Sequence, residues 1–264
     1  MAKRAVHAFV TFVRRVPPAA GEDVHLEVME DLPGGRGQAR ELAVTGIDGC
    51  ARGWIAVTLG AGGAMTSVAV GARLDGLSLA GVTGIDMPLG LLGAGWRDAD
   101  VLARRALGRR GVTVFAIPPR PVWACGSHAE ASRACRDLTG KGFSVQAWGL
   151  RRKIAEADTW RRRASSLVPP VRLYEVHPEL SFAAMAGAPL ADGKHTRAGL
   201  AVRRELLAGE GITLPPKAAG AAEDDLLDAA AVAWSARRIA AGLATILTSP
   251  SQRADDGGEI AIRY

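Results

Sequence analysis

The chain has 264 residues, of which 48% are hydrophobic and 23% are charged, and its formal net charge is +6. This composition excludes a disordered chain, and no apolar run reaches the ~18–20 residues of a membrane span. At roughly 100–200 residues per domain, the length allows one large domain or two small ones.

The three cysteines, Cys50, Cys125 and Cys135, form no C-x-x-C pair. Their spacing suggests neither a zinc knuckle nor a disulfide framework and fits a reducing compartment. The opening apolar stretch is interrupted by His7, ends in two arginines and lacks a convincing cleavage site, so it does not fit an export signal. We therefore expect a cytoplasmic protein without membrane association.

Residues 1–41 have weak periodicity and end in a glycine-rich run, which predicts a poorly ordered N-terminal extension before a single domain at 42–264. Apolar and alternating runs predict strands at Leu42–Asp48, Trp54–Leu59, Thr66–Ala72, Gly81–Asp86, Val171–Val176 and Glu259–Tyr264. Apolar residues at helical spacing predict a short helix at Leu74–Leu79 and longer helices at 97–107, 127–138, 146–163, 196–209 and 222–243.

The first three predicted strands follow one another directly, whereas helices separate the later ones. Hairpins followed by crossovers imply a mixed sheet with helices packed on it. We therefore predict an α/β domain with a mixed five-stranded sheet flanked by helices and a helical insertion between the fourth and fifth strands.

Acidic residues stand at the ends of the predicted elements. Asp48 closes the first strand, Asp86 closes the fourth and Glu175 nearly closes the fifth, while Asp225 and Asp228 lie near the start of a late helix. Sites in open α/β sheets gather at the carboxyl ends of the strands. Carboxylates that converge there repel one another unless a divalent cation neutralises them, and an all-oxygen set suits Mg²⁺ or Mn²⁺.

Each acid also has an ordinary structural explanation. Asp48 with the following glycine is a common turn pair, and Asp86 before a Met-Pro pair can end a strand. The acidic run at 223–225 can complement a helix dipole. Asp228 is harder to explain in this way because its neighbours are apolar, and the whole set indicates a site more strongly than any member does.

The segment Tyr174–Glu179 holds a further group of polar residues. If the chain stays extended, strand alternation places Glu175, His177 and Glu179 on one side, where His177 can bind a metal or transfer protons. A histidine beside a proline is more often structural, so both interpretations stay open.

Basic residues concentrate in the middle third of the chain, where residues 97–163 hold 15 Lys and Arg against 6 Asp and Glu. Arginine presents a planar fork that suits phosphate, and a clustered basic face is typical of nucleic-acid binding. Any single member can instead be a solvated helix residue. The candidate substrate-binding residues are Arg97, Arg104, Arg109, Arg120, Lys153 and Lys194.

Seven segments of the chain carry motifs that occur in a characteristic order. They are Gly46–Trp54, Ile85–Leu91, Arg97–Gly108, Gln146–Asp158, Tyr174–Glu179, Lys194–Gly199 and Asp224–Ala229. Together they resemble the family called domain of unknown function 429, and the resemblance runs from about Leu42 to Tyr264.

That family is regarded as a group of predicted nucleases with a ribonuclease H-like fold. The resemblance therefore implies this fold. In such enzymes, acids on the first strand, at the fourth strand and on the last helix hold two metal ions. The matching positions here are Asp48, Asp86, Asp225 and Asp228, with Glu175 as an addition of the family's own pattern. We expect a nuclease that binds nucleic acid and hydrolyses phosphodiester bonds with Mg²⁺ or Mn²⁺, Asp48 bridging the two ions.

Two other functions fit the same residues. A nucleic-acid-binding protein with a degenerate site would bind in a salt-sensitive way without turnover. A metal-dependent hydrolase of a small phosphorylated metabolite would use the group around His177 as part of a closed pocket.

Overall fold

The computed structural model describes residues 42–164, 166–167 and 170–264. The predicted N-terminal extension at 1–41 lies outside these residues. The strands are β1 (Val44–Cys50), β2 (Gly53–Leu59), β3 (Met65–Gly71), β4 (Val82–Ile85), β5 (Arg172–Glu175), β6 (Ile246–Arg253) and β7 (Glu259–Arg263). The helices are α1 (Asp98–Leu107), α2 (His128–Thr139), α3 (Val145–Gly149), α4 (Arg151–Ala164), α5 (Pro178–Ala186), α6 (Arg197–Gly209) and α7 (Glu223–Ala240). Among the described residues, none of these helices has both the length and the apolar character of a membrane-spanning segment.

Five strands form the main sheet in the order β3-β2-β1-β4-β5, and β6 pairs with β7 in a separate antiparallel hairpin. β2 runs antiparallel to β1 and β3, whereas β4 runs parallel to β1 and β5. The carboxyl ends of β1, β4 and β5 therefore meet at one end of the sheet. The protein is an α/β protein with a mixed five-stranded sheet flanked by helices, as predicted.

Helix α7 covers one face of the sheet and α4 covers the other. Val44 and Val57 belong to the core that includes the alanine-rich middle of α7, while Ile47 and Trp54 belong to the core that includes α4. This division follows from strand alternation, which sends neighbouring side chains to opposite faces. Gly46 brings α7 close to β1, because a Cβ at that position would lie 2.0 Å from the backbone nitrogen of Ala233.

Several observed elements differ from the predicted ones. Helix α5 and strand β6 were not predicted. The predicted helix at 146–163 is two helices that meet at Leu150, and the one at 74–79 is a single 3-10 turn, Leu74–Gly76. Pro178 begins α5 directly after β5, and proline suits the first turn of a helix because its missing N–H has no partner to lose there.

Candidate functional site

Three acidic side chains lie near enough for their charges to interact where β1 and β4 end and α7 begins, and we call Asp48, Asp86 and Asp228 the three site acids. Asp48 lies within β1, before the turn at 51–52, and Asp86 directly follows β4. Asp48 is 7% exposed and Asp228 is 1% exposed, while Asp86 is partly buried. The strand ends and the first turns of α7 therefore bring three of the predicted acids together.

Burial and mutual repulsion oppose the ionisation of the three site acids. Burial, and then the charges of Asp86 and Asp228, raise the pKa of Asp48 well above its ordinary value. Burial also raises the pKa of Asp86 to about 7 and that of Asp228 to about 6, although Lys194 acts in the opposite direction. Acids perturbed in this way cluster at functional sites, because a site that binds a cation or moves a proton needs them.

Lys194 supplies the positive charge that faces these acids. Its Nζ donates to Oδ2 of Asp228 at 2.7 Å and lies 3.8 Å from Oδ2 of Asp224. Burial lowers the pKa of the ammonium, but the carboxylates of Asp228, Asp48 and Asp86 together outweigh this effect and raise it, so Lys194 stays charged. Within the described ranges, the ammonium of Lys194 is the one cationic group that pairs with the three site acids, and no arginine pairs with them.

Asp225 lies at the margin of this group, one helical turn before Asp228. Its Oδ2 accepts a hydrogen bond from the backbone nitrogen of Ala222 at 3.1 Å, which caps the start of α7. Burial raises the pKa of Asp225. The spacing of three places Asp225 and Asp228 on one helix face, but the structure gives Asp225 a capping contact of its own.

Glu175 is held by a buried arginine. Its two oxygens accept from Nη2 of Arg97 at 2.7 and 2.6 Å, and one also accepts from the backbone nitrogen of Leu89 at 2.7 Å. Burial raises the pKa of Glu175 to about 7, against the lowering effect of Arg97. The sequence predicts that Arg97 binds substrate, but Arg97 is 1% exposed. Its Nε lies 3.6 Å from Oδ1 of Asp100. In this structure Arg97 positions Glu175 inside the protein and does not reach the surface.

The expected alignment of Glu175, His177 and Glu179 on one side of an extended chain is wrong, because α5 begins at Pro178. Glu179 instead turns with the helix and is bound by two arginines. Nη2 of Arg110 lies at 3.0 Å and Nη2 of Arg203 at 2.5 Å. Burial raises the pKa of Glu179, but the two guanidiniums outweigh it and hold the pKa below its ordinary value.

His177 lines a cavity of about 100 Å³ together with Asp86, Asp100 and Glu175. Its Nδ1 is buried and has no hydrogen-bond partner among the described residues. Burial lowers the pKa of the ring, which is therefore neutral at pH 7. A neutral imidazole with an unpartnered nitrogen beside Asp86 can take a hydrogen bond or a proton.

The other predicted substrate-binding residues occupy different environments. Arg120 pairs with Asp158 at 2.7 Å and with Asp255, and Nζ of Lys153 donates to the carbonyls of Cys50 and Gly53. Nε of Arg104 donates to the carbonyl of Val114 at 2.8 Å. Arg109 is exposed in the 3-10 turn that follows α1. Arg120 and Lys153 therefore hold parts of the fold together in this structure.

Sequence reasoning missed two buried charged residues near the site. Asp100 is 4% exposed and accepts from the backbone nitrogen of Ile117 at 3.0 Å, and Arg203 is 0% exposed. Each occupies the buried stripe of its helix, where Ala103 follows Asp100 and Leu207 follows Arg203 at helical spacing. A charged residue in an apolar stripe is a signal that could have identified both.

A comparison with protein families gives one match. The model of the family described as "Protein of unknown function (DUF429)" matches residues 46–253, a range that contains Asp48, Asp86, Asp228 and Lys194. No curated protein and no solved structure matches the chain.

Proposed function

The chain belongs to the DUF429 family, and we propose that it is a metal-dependent nuclease with a ribonuclease H-like fold. In this proposal Asp48, Asp86 and Asp228 hold Mg²⁺ or Mn²⁺, and Asp225 completes the set, whereas Glu175 stays bound to Arg97. The strand order and the approach of α7 to β1 support the proposed fold, because they bring acids from β1, β4 and the last long helix to one place.

One contrast carries the proposal. Elsewhere in the interior, acids have arginine partners, as Glu175, Glu179 and Asp158 do. The three site acids share a single lysine within the described ranges. An acid that serves only the fold gains from a close partner, since an unpaired buried charge is strongly destabilising. Buried acids that lack enough positive charge around them therefore indicate a binding site for a cation.

The donor set of the three site acids fits a hard divalent ion in kind, because it consists of carboxylate oxygens. Among the residues that the structure describes, no three His, Cys, Asp or Glu side chains are grouped closely enough to hold an ion, and Lys194 donates to Asp228. We therefore expect ion binding to move the ammonium of Lys194 away from Asp228. A divalent ion bound there supplies the charge stabilisation that phosphodiester hydrolysis requires.

The side chains around the three site acids have separate tasks in this proposal. Glu175 and Arg97 fix the end of β5, and Arg110 and Arg203 neutralise Glu179, whose charge acts on Asp86 and Asp228. His177, neutral and unpartnered at Nδ1 among the described residues, lines the same cavity as Asp86 and can take a hydrogen bond there.

Titration of Mn²⁺ by calorimetry, followed by incubation with labelled single-stranded, duplex and hybrid polynucleotides, tests the proposal. We expect binding and cleavage by the wild type, and loss of both in Asp48→Asn with an unchanged or higher melting temperature, since the substitution relieves repulsion. Asp137→Asn, which changes an exposed acid, is the matched control.

Ion binding without cleavage of any polynucleotide would refute the nuclease and favour a hydrolase of small phosphorylated molecules. Tight salt-sensitive binding of nucleic acid without ion binding would favour a non-catalytic binding protein. A large loss of stability in Asp48→Asn would show that Asp48 serves the fold.

A further inference from the structure

A groove of about 730 Å³ lies on the α4 face of the sheet, next to the strand that carries Asp48. Its walls are the β1–β2 turn, the segment after β3 and the outer side of α4. Five basic residues line it, against two acids. The basic residues are Arg52, Arg73, Arg152, Lys153 and Arg163.

The positive charge of the groove is only partly neutralised. Asp75 pairs with both Arg73 and Arg163, so two guanidiniums share one carboxylate. The two oxygens of Glu156 accept hydrogen bonds from neutral donors, which are Nε1 of Trp54 at 3.1 Å and a backbone nitrogen at 2.8 Å.

Arg52 and Arg152 are exposed, and within the described ranges no acidic side chain pairs with either of them. A concave surface lined mostly by one sign of charge concentrates ligands of the opposite sign. The groove therefore suits an anion.

The groove is connected to the three site acids through the turn that follows Asp48. The side chain of Lys153 lies against Gly49, where a Cβ would be 3.0 Å from its Cδ. On the other side of the turn, Arg52 lies against Gly220, just before α7.

We propose that this groove binds the phosphodiester backbone of a polynucleotide strand and leads it to the three site acids, an inference that rests on the proposed nuclease function. Arg152 and Arg163 are eleven positions apart on α4, which corresponds to about 16 Å along the helix axis. A nucleic-acid strand carries one phosphate per ~3.4 Å of axis, so this length matches several phosphates. Arginine suits them because its planar fork matches phosphate geometry.

Fluorescence anisotropy of labelled 12-nucleotide single-stranded DNA, and of RNA of the same sequence, tests this inference with the full chain in EDTA. The variant is Arg52→Gln with Arg152→Gln. The control is Arg133→Gln with Arg172→Gln, which removes the same charge from exposed positions outside the groove. Melting temperatures of all proteins are expected to agree, since these four side chains are exposed.

Each phosphate contact on a single strand adds ~0.7 to the slope of log affinity against log salt, so two lost contacts reduce the slope by about 1.4. The same relation predicts about 25-fold weaker binding of the groove variant at ~0.1 M salt, with a much smaller change in the control. Equal losses in both variants, or none in the groove variant, would overturn the inference. If adenosine monophosphate competes with the 12-mer at similarly low concentrations, the groove binds a small ligand, and this result would also overturn the inference.

Cleavage is measured separately with Mn²⁺, which keeps the two proposals distinguishable. If the groove variant loses binding while the wild type cleaves no polynucleotide, the groove is a nucleic-acid site and the nuclease proposal is wrong. If the wild type cleaves and the groove variant binds normally, the nuclease proposal stands and the strand follows another path.

Discussion

Replacement of Asp86 by asparagine tests the electrostatic account of the candidate site. The pKa of Asp86 is raised from its ordinary 3.8 to about 7, chiefly by burial. The folded protein therefore binds a proton at Asp86 more readily than the unfolded chain does. This stabilisation is fully present below pH 3.8 and is lost as the pH rises through 7, where the folded protein must hold a charge that the unfolded chain exposes to water.

The size of the effect follows from the same two pKa values. The interval from 3.8 to about 7 corresponds to roughly 4 kcal/mol in the free energy of unfolding. Because Asp86 keeps some contact with solvent, we expect roughly 2–4 kcal/mol. Asparagine keeps the shape of the side chain and removes its charge. Asp86→Asn should therefore be more stable than the wild type by this amount at about pH 8, and the difference should vanish near pH 4.

Urea unfolding in EDTA between about pH 4 and pH 8 measures this difference. Asp137→Asn, at an exposed position, controls for the change in net charge and should follow the wild type. A difference between Asp86→Asn and the wild type that does not depend on pH would refute the reasoning. A variant less stable than the wild type at pH 8 would show that Lys194 fully compensates Asp86, and the three site acids would then give no indication of a cation site.

Two further predictions concern the basic partners. Arg97→Met leaves Glu175 buried without its guanidinium and should lower the free energy of unfolding by about 3–5 kcal/mol in urea. The exposed Arg133→Met is the control, and a loss below about 1 kcal/mol would contradict the buried ion pair. Lys194→Met should tighten Mn²⁺ binding in calorimetry, because the ammonium no longer repels an incoming cation or occupies Asp228. Unchanged or weaker binding would show that Lys194 and the ion do not compete.

The sheet could be predicted from the sequence because its signals are local. Apolar alternation identifies β1 and β2, and the turn glycines between β2 and β3 identify the hairpin. The acids of the candidate site were found for the same reason, since Asp48 and Asp86 end apolar runs. Strand β6 gives no such signal, because its Thr248–Ser251 segment contains a proline and reads as a loop.

The partners of the buried acids could not be predicted, because they come from distant parts of the chain. Arg97 and Glu175 are 78 residues apart, and Arg203 reaches Glu179 from another helix. No local pattern distinguishes an arginine that will be buried beside an acid from one that remains at the surface. The sequence therefore assigns Arg97 to substrate, whereas the fold places it on Glu175.

The type of cation beside each acid separates the structural acids from the candidate site. Nη2 of the almost fully buried Arg97 donates to both oxygens of Glu175, and an ion pair enclosed in this way is hard to open. Lys194 reaches Asp228 with a single ammonium on a flexible stem, and its side chain is 33% exposed. That ammonium can move into solvent with little change in packing. The three site acids therefore have too little positive charge around them, and the one ammonium that they share can leave. A site that exchanges this ammonium for a metal ion requires both properties.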